Sequence, residues 1–142
     1  MDTKRKILII DDDPDFVEAI KKILETASYQ VESASNAKEG WEKIIQFQPN
    51  LICMDIMMET LTDGFLMSQD IKNHSDFHHI PILCISSINQ VTHLHFSPET
   101  DGKAFPVDDF MEKPVQPDDL LRHIEMLFNH HTVPNETEEE WL

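Results

Sequence analysis

The chain has 142 residues, 40% of them hydrophobic, which is enough for one globular domain with a substantial core. Its formal net charge of −16 argues against direct binding to nucleic acid, because that affinity depends largely on lysine and arginine contacts to phosphate. The apolar runs are too short to cross a bilayer or to serve as a signal peptide, so we expect no membrane insertion and a cytoplasmic location.

Strands and helices alternate along the first part of the sequence. Residues 7–10 are apolar and β-branched, which predicts a strand buried on both faces. Asp13 and Pro14 are typical of a helix N-cap followed by proline at the first helical position. The next predicted elements are a strand at residues 30–34, a helix at 37–47 that carries Trp41, Ile44 and Ile45 inward, and a buried strand at 51–54.

The second part continues the alternation, with one interruption. A helix near residues 65–73, a strand at 81–85, a strand at 109–112 and a helix at 117–128 are predicted. Between residues 88 and 106, Pro98, Gly102 and Pro106 break any long helix. The alternation predicts one α/β domain over residues 1–128, with a parallel sheet covered on both sides. Residues 129–142 are expected to form an acidic C-terminal tail.

Polar side chains follow four of the predicted strands directly. Asp11 and Asp12 follow the first strand, Asp55 the third, Ser86 the fourth and Lys113 the fifth. In an open parallel sheet, ligands bind at the carboxyl ends of the strands. We therefore expect these side chains to meet at one edge of the sheet and to form a single site.

Their chemistry is suited to phosphoryl transfer onto a carboxylate. Three carboxylates about 5 Å apart repel one another by roughly 3 kcal/mol per pair at an effective dielectric constant of 20, so the group favours a bound cation. A few hard oxygen ligands suit Mg²⁺, which shares its coordination with phosphate. One aspartate can then accept the phosphoryl group, while a lysine and a hydroxyl contact its oxygens.

Four segments of the chain resemble the signature blocks of bacterial response-regulator receivers, at residues 7–14, 51–58, 81–87 and 109–114. The resemblance covers roughly residues 5–128. It implies a flavodoxin-like doubly wound fold with a five-stranded parallel sheet in the order 2-1-3-4-5. It also implies a switch protein that is not an enzyme beyond, at most, slow autodephosphorylation.

The resemblance assigns a role to each residue of the acidic group. Asp55 matches the phosphoacceptor, and Asp12 matches the direct Mg²⁺ ligand. Asp11 matches the partner that binds the metal mainly through water. Met57 matches the position whose backbone carbonyl completes the metal site. For Asp13 we favour helix capping over metal binding.

The remaining matched positions belong to the switch. Ser86 matches the hydroxyl that moves to the phosphoryl group, and Lys113 matches the lysine that pairs with that group. Phe110 stands where the family has an aromatic switch residue. The resemblance also implies a cis peptide bond between Lys113 and Pro114.

Partners follow from the same resemblance. The phosphoryl donor would be a phosphohistidine on a sensor histidine kinase or a phosphotransfer protein. Output would pass to a downstream protein partner, with a homodimer as a further possibility, and a chain cut from a larger protein would look the same.

Two stretches depart from the family pattern. Glu59 replaces the usual proline after the acceptor, and Gly64 lies one position further from Asp55 than the family's glycine. Ser86 and Lys113 are 27 positions apart, several more than usual, and the fourth helix is replaced by an atypical segment or missing. We hypothesise that the protein signals through an atypical face or a remodelled fourth helix.

Two other functions compete with this interpretation. Residues 11–13 also satisfy the Asp-x-Asp pattern of haloacid-dehalogenase-like phosphatases, but Pro14 and Asp15 stand where that family has Gly-Thr, and Asp55 would have no role. A receiver fold that is never phosphorylated is the second alternative. The histidine pairs are expected to lie in exposed loops and the tail rather than in a metal site, and Cys53 and Cys84 to be buried structural thiols.

Overall fold

The computed structural model describes residues 4–56, 63–87 and 106–132, with the side chains of the last two residues excepted. Strands and helices alternate through these residues as the sequence predicts. The elements are β1 (Lys6–Ile10), α1 (Pro14–Thr26), β2 (Gln30–Ala34), α2 (Ala37–Phe47), β3 (Leu51–Met54), α3 (Asp63–Lys72), β4 (Ile82–Ser86), β5 (Asp109–Glu112) and α4 (Pro117–Thr132).

The five strands form one parallel sheet in the order β2-β1-β3-β4-β5, so the predicted flavodoxin-like topology is confirmed. The chain reverses its direction of travel across the sheet after β2, because β1 pairs with β2 on one side and with β3 on the other. In open parallel sheets, a reversal of this kind is where ligands bind, at the carboxyl ends of the strands. The fold therefore places a ligand site beside the ends of β1 and β3.

Helices cover both faces of the sheet, which is why the central strands are apolar throughout. Ile7 and Ile9 of β1 pack into a core cluster with α1 and α4. Leu8 and Ile10 point the opposite way and pack with α2 and α3. None of the helices in the described ranges has the length and apolar character needed to cross a membrane.

Asp13 caps α1, as the sequence predicts. Its carboxylate oxygen accepts hydrogen bonds from the backbone N–H groups of Asp15 and Phe16, at 3.1 and 3.3 Å. Pro14 occupies the first helical position, where a missing N–H group costs nothing. The entry into α1, directly after Asp11 and Asp12, is thereby fixed.

The prediction that Ile45 faces inward is wrong. Ile44 is fully buried, whereas Ile45 is 61% exposed. Successive residues of a helix are turned by about 100° from one another, so Ile44 and Ile45 lie on different parts of the surface of α2, and only Ile44 points at the sheet. The inward face of α2 is formed instead by Gly40 and Ile44, with Trp41 half-buried beside them.

Some boundaries differ from the predicted ones. Ser86 is the last residue of β4 rather than the residue after it, and α3 begins at Asp63. The last helix continues to Thr132, beyond the predicted end at residue 128. The domain boundary and the acidic tail stay predictions. The predicted loop departure at Glu59 and the atypical segment at residues 88–105 lie outside the described residues.

Candidate functional site

The backbone of the sheet anchors the site residues at the carboxyl ends of the strands. Asp11, Asp55 and Lys113 each donate their backbone N–H to the last residue of a neighbouring strand, at 3.0, 3.0 and 2.9 Å. These bonds continue the parallel ladder one residue beyond the strand ends. The three side chains are therefore presented at one edge from a rigid backbone.

Asp11, Asp12 and Asp55 meet at this edge, as the sequence predicts. One carboxylate oxygen from each residue lies within 4.8 Å of the other two. Asp11 and Asp55 are each only 3% exposed, whereas Asp12 is exposed to solvent. Burial raises the pKa of the Asp11 carboxyl above its ordinary value, although a hydrogen bond from the Asp13 N–H at 2.9 Å and the nearby Lys113 oppose the shift. The group is therefore a site of concentrated negative charge.

Lys113 supplies positive charge to this group. Its Nζ lies 3.0 Å from Oδ2 of Asp11 and 3.8 Å from Oδ2 of Asp55. The Lys113–Pro114 peptide bond is cis, as the resemblance implied. Two buried carboxylates thus share one ammonium, so Lys113 neutralises the cluster only in part.

Ser86 is fully buried beside Asp55. Its Oγ accepts a hydrogen bond from the backbone N–H of Ile56 at 3.1 Å, so the hydroxyl hydrogen is available for Oδ1 of Asp55 at 3.0 Å. The hydroxyl therefore contacts the predicted acceptor directly. The sequence could not specify the contact with Ile56, because it joins residues 30 positions apart.

Phe110 lies in a small apolar cluster that borders the site. The cluster contains buried Ile56 and Cys84, with Phe65 and Phe110 half-buried against them. Ile56 is the residue whose N–H bonds to Ser86, so Phe110 packs directly beside the site. Its role as a switch stays a prediction.

Gly64 packs on the backbone of the acceptor segment. Its N–H donates to the Ile56 carbonyl at 2.6 Å, and a Cβ at this position would lie 1.9 Å from the Asp55 carbonyl oxygen. Only glycine allows such a close approach.

Met57 lies outside the described residues, so its predicted carbonyl ligand stays a prediction.

From the sequence, no site role was predicted for Phe16. The structure places Nζ of Lys113 at 4.2 Å from the centroid of its half-buried ring. The one signal in the sequence is its position in the first turn of a helix that follows the acidic pair. A contact with a lysine almost a hundred residues away depends on the fold and is not visible in that pattern.

The predicted structural thiols are confirmed. Cys53 and Cys84 are free and buried, and burial raises the pKa of each thiol to about 12. Within the described ranges, the group of Asp11, Asp12 and Asp55 is the only set of three or more His, Cys, Asp or Glu residues close enough together to hold a metal ion. Asp13 is not part of this group. His78 and His79 are exposed.

Comparisons with known proteins identify the family to which the chain is similar. The response regulator receiver domain model matches residues 7–125. RpaA of Synechocystis, a DNA-binding dual master transcriptional regulator, is 30% identical over 122 residues, which are 86% of this chain and 48% of RpaA. Response regulator GtcR of Aneurinibacillus migulanus is 32% identical over 136 residues, covering 96% of this chain and 52% of GtcR.

A solved structure of a chemotaxis protein has a similar fold. The chemotaxis protein CheY4 of Vibrio cholerae superposes with a TM-score of 0.75 at 26% identity, covering 88% of this chain and 99% of CheY4. The chain spans about half the length of the curated relatives it matches. The family match is to receivers, the interpretation favoured from the sequence over a haloacid-dehalogenase-like phosphatase. The chain therefore belongs to the response regulator receiver domains of two-component signalling, whose family function is to be phosphorylated on an aspartate.

Proposed function

We propose that Asp55 is the phosphoacceptor of this receiver and that its phosphorylation requires Mg²⁺. The observation that carries the proposal is the convergence on one carboxylate: the Ser86 hydroxyl lies 3.0 Å from Oδ1 of Asp55, and the Lys113 ammonium lies 3.8 Å from Oδ2. Asp11 and Asp12 complete the acidic group around it. This arrangement supplies a nucleophile together with contacts for the oxygens of a transferred phosphoryl group.

The donor set fits Mg²⁺. Three carboxylate oxygens within 4.8 Å are hard ligands, and their mutual repulsion favours a small divalent cation. Asp12 and Asp55 would hold the ion directly, Asp11 mainly through water, and Met57 through its backbone carbonyl. When bound, the ion neutralises negative charge on the carboxylates and on the phosphoryl oxygens.

The residues of the chain divide the chemical step between them. An oxygen of Asp55 attacks phosphorus and a P–O bond forms, while the P–N bond of a phosphohistidine breaks. The electron pair leaves on the imidazole nitrogen, which takes up a proton, and Asp55 becomes an acyl phosphate. Lys113 stabilises the charge on the phosphoryl oxygens. Ser86 transfers its hydrogen bond from the carboxylate to a phosphoryl oxygen, and Phe110 responds by repacking.

The donor would be a sensor histidine kinase or a phosphotransfer protein, and the output would pass to a downstream protein or through a homodimer. RpaA is described as DNA-binding, but this chain matches about half of it. For the chain itself, with a net charge of −16, we propose no direct contact with nucleic acid. A cytoplasmic location and the absence of enzymatic activity beyond slow autodephosphorylation belong to the same proposal.

The intact mass after incubation with acetyl phosphate and Mg²⁺ tests the proposal. We expect wild-type protein to gain one phosphoryl group, and to gain none in EDTA. Asp55→Asn should gain none, because the amide is not a nucleophile of comparable strength. Asp13→Asn is the matched control, since Asn caps helices as well as Asp does and Asp13 lies outside the acidic group. It should be phosphorylated like the wild type.

Two results would contradict the proposal. Phosphorylation of Asp55→Asn to the wild-type level would place the acceptor elsewhere. No gain in wild-type protein, together with no stabilisation by Mg²⁺, would favour a receiver fold that is kept for protein contacts alone.

A further inference from the structure

We propose that Phe16 is a positioning residue for Lys113, holding the ammonium over its ring while the lysine acts on the phosphoryl group. The inference rests on the function proposed for Asp55. Nζ of Lys113 lies 4.2 Å from the ring centroid of Phe16, within the range of a cation–π interaction. The same nitrogen lies 3.0 Å from Oδ2 of Asp11, so the ammonium is held between the ring and a carboxylate.

The backbone that carries the ring is fixed by the acidic segment that precedes α1. Oδ1 of Asp11 accepts the Asp13 N–H at 2.9 Å, and Oδ1 of Asp13 accepts the Phe16 N–H at 3.3 Å. Asp11 then pairs with Lys113, whose ammonium lies on the Phe16 ring. The four residues form a closed circuit of contacts, which fixes the backbone from which the ring projects toward Lys113.

An aromatic face suits this position for an electrostatic reason. It attracts the ammonium without adding a negative charge to a site that already contains three carboxylates. Lysine has a long side chain with several rotatable bonds and a strongly hydrated charge, so an unsupported ammonium would sample many positions. The Lys113 side chain is only 20% exposed, and its ammonium lies 3.8 Å from Oδ2 of Asp55 while it is in contact with the ring.

The first experiment measures the rate of phosphorylation by acetyl phosphate and Mg²⁺ in ring variants. Phe16→Leu should react about 5-fold more slowly than wild type, because it keeps an apolar side chain but loses the attraction of the ring. Phe16→Trp retains an aromatic face and should restore the rate to within about 2-fold of wild type. Phe47→Leu is the matched control: Lys6 Nζ lies 5.6 Å from that ring, at the other end of the sheet. Its rate should equal that of the wild type.

The second experiment separates attraction from shape. Phenylalanine with one, two or three ring fluorines at position 16 keeps the ring while progressively weakening its negative face. The logarithm of the phosphorylation rate should fall in step with the number of fluorines. Because these rings keep the fold, this series remains decisive even if Phe16→Leu does not fold.

The outcomes distinguish the two proposals. Wild-type protein that is phosphorylated, together with equal rates for all the position-16 variants, would overturn the role of Phe16 and leave Asp55 as the acceptor. Equal slowing in Phe16→Leu and Phe47→Leu would reduce the effect to general stability and would also overturn it. Wild-type protein that takes up no phosphoryl group and is not stabilised by Mg²⁺ would overturn the function proposed for Asp55 first.

Discussion

Charged side chains are matched in a pair at one end of the sheet, whereas at the other end carboxylates outnumber the ammonium that pairs with them. At the amino ends of the strands, Lys72 pairs with Asp108 at 2.6 Å and also donates to the Ile80 carbonyl. The Asp108 carboxylate accepts the Ile82 N–H at 2.7 Å, so one cation matches one anion in a well-bonded, partly exposed pair. At the carboxyl ends, the nearly buried carboxylates of Asp11 and Asp55 share the ammonium of Lys113, and the exposed carboxylate of Asp12 belongs to the same acidic group.

We infer from this difference that one end is arranged for stability and the other for the phosphoryl transfer proposed above. A matched pair that keeps its hydrogen bonds has no stored electrostatic cost, whereas like charges taken out of water do. Such a cost is tolerated where function requires it. Substitutions at the two ends should therefore differ in kind, and paired variants can test this.

The largest expected effect concerns the two lysines. Lys113→Met should slow phosphorylation by acetyl phosphate and Mg²⁺ about 100-fold, because it removes the side-chain cation that faces Asp55 during transfer. Lys72→Met should leave the rate unchanged while lowering the free energy of unfolding by about 1 kcal/mol. Intact-mass kinetics and urea denaturation measure the two quantities. Similar rates for both variants would remove the functional distinction between the ends.

The next effect concerns hydrogen bonds to backbone N–H groups. Ser86→Ala leaves the buried Ile56 N–H without its acceptor and should lower the free energy of unfolding by about 1–3 kcal/mol. Asn50→Ala removes the acceptor of the Lys6 N–H at the amino end, where that group is exposed to water, and should cost less than about 1 kcal/mol. Urea denaturation compares them, and an equal loss would contradict the difference in burial.

The smallest expected effect is that replacing Asp11 and replacing Asp108 with asparagine change the free energy of unfolding in opposite directions. The pKa of Asp11 is raised by burial, so its ionisation opposes folding, and the wild type should lose stability relative to Asp11→Asn as pH rises through that raised pKa. At pH 7 in EDTA, Asp11→Asn should be about 1 kcal/mol more stable than wild type, and Asp108→Asn about 1 kcal/mol less stable.

Thermal unfolding with and without Mg²⁺ provides the check. Added Mg²⁺ should stabilise the wild type and Asp108→Asn, because an ion that binds only the folded state raises its stability. Asp11→Asn should gain less from the ion. Destabilisation by Asp11→Asn in EDTA would show that the pair with Lys113 outweighs the repulsion at this end.

Local patterns predicted most of the fold. The bounds of β2, α2, β3 and β5 agree with the predicted ones. For α2, β3 and β5 the reason is that apolar residues are bounded by a cap, a proline or a charge, whereas the pattern of β2 is weak. The prediction for Ile45 was wrong because a run of adjacent apolar residues does not reveal which of them faces the sheet. The sequence also placed the aspartates, Ser86 and Lys113 at one edge, since parallel strands bring their ends together.

What the sequence could not provide were contacts between distant elements. Neither the bond from the Ile56 N–H to Ser86 nor the position of the Phe16 ring against Lys113 follows from a local period. Both depend on how neighbouring elements lie against one another. The raised pKa of Asp11 likewise depends on how deeply the edge is buried, which composition does not fix.

The ladder bonds at the site have a consequence for how such proteins diverge. Asp11, Asp55 and Lys113 are fixed by their backbone N–H groups, which any residue except proline can provide. Their side chains can therefore be exchanged while the sheet keeps its register. A descendant of this chain could lose the acceptor by one substitution and keep its shape as a binding partner. In this fold, the side chains that carry the chemistry can therefore change without a change in the architecture.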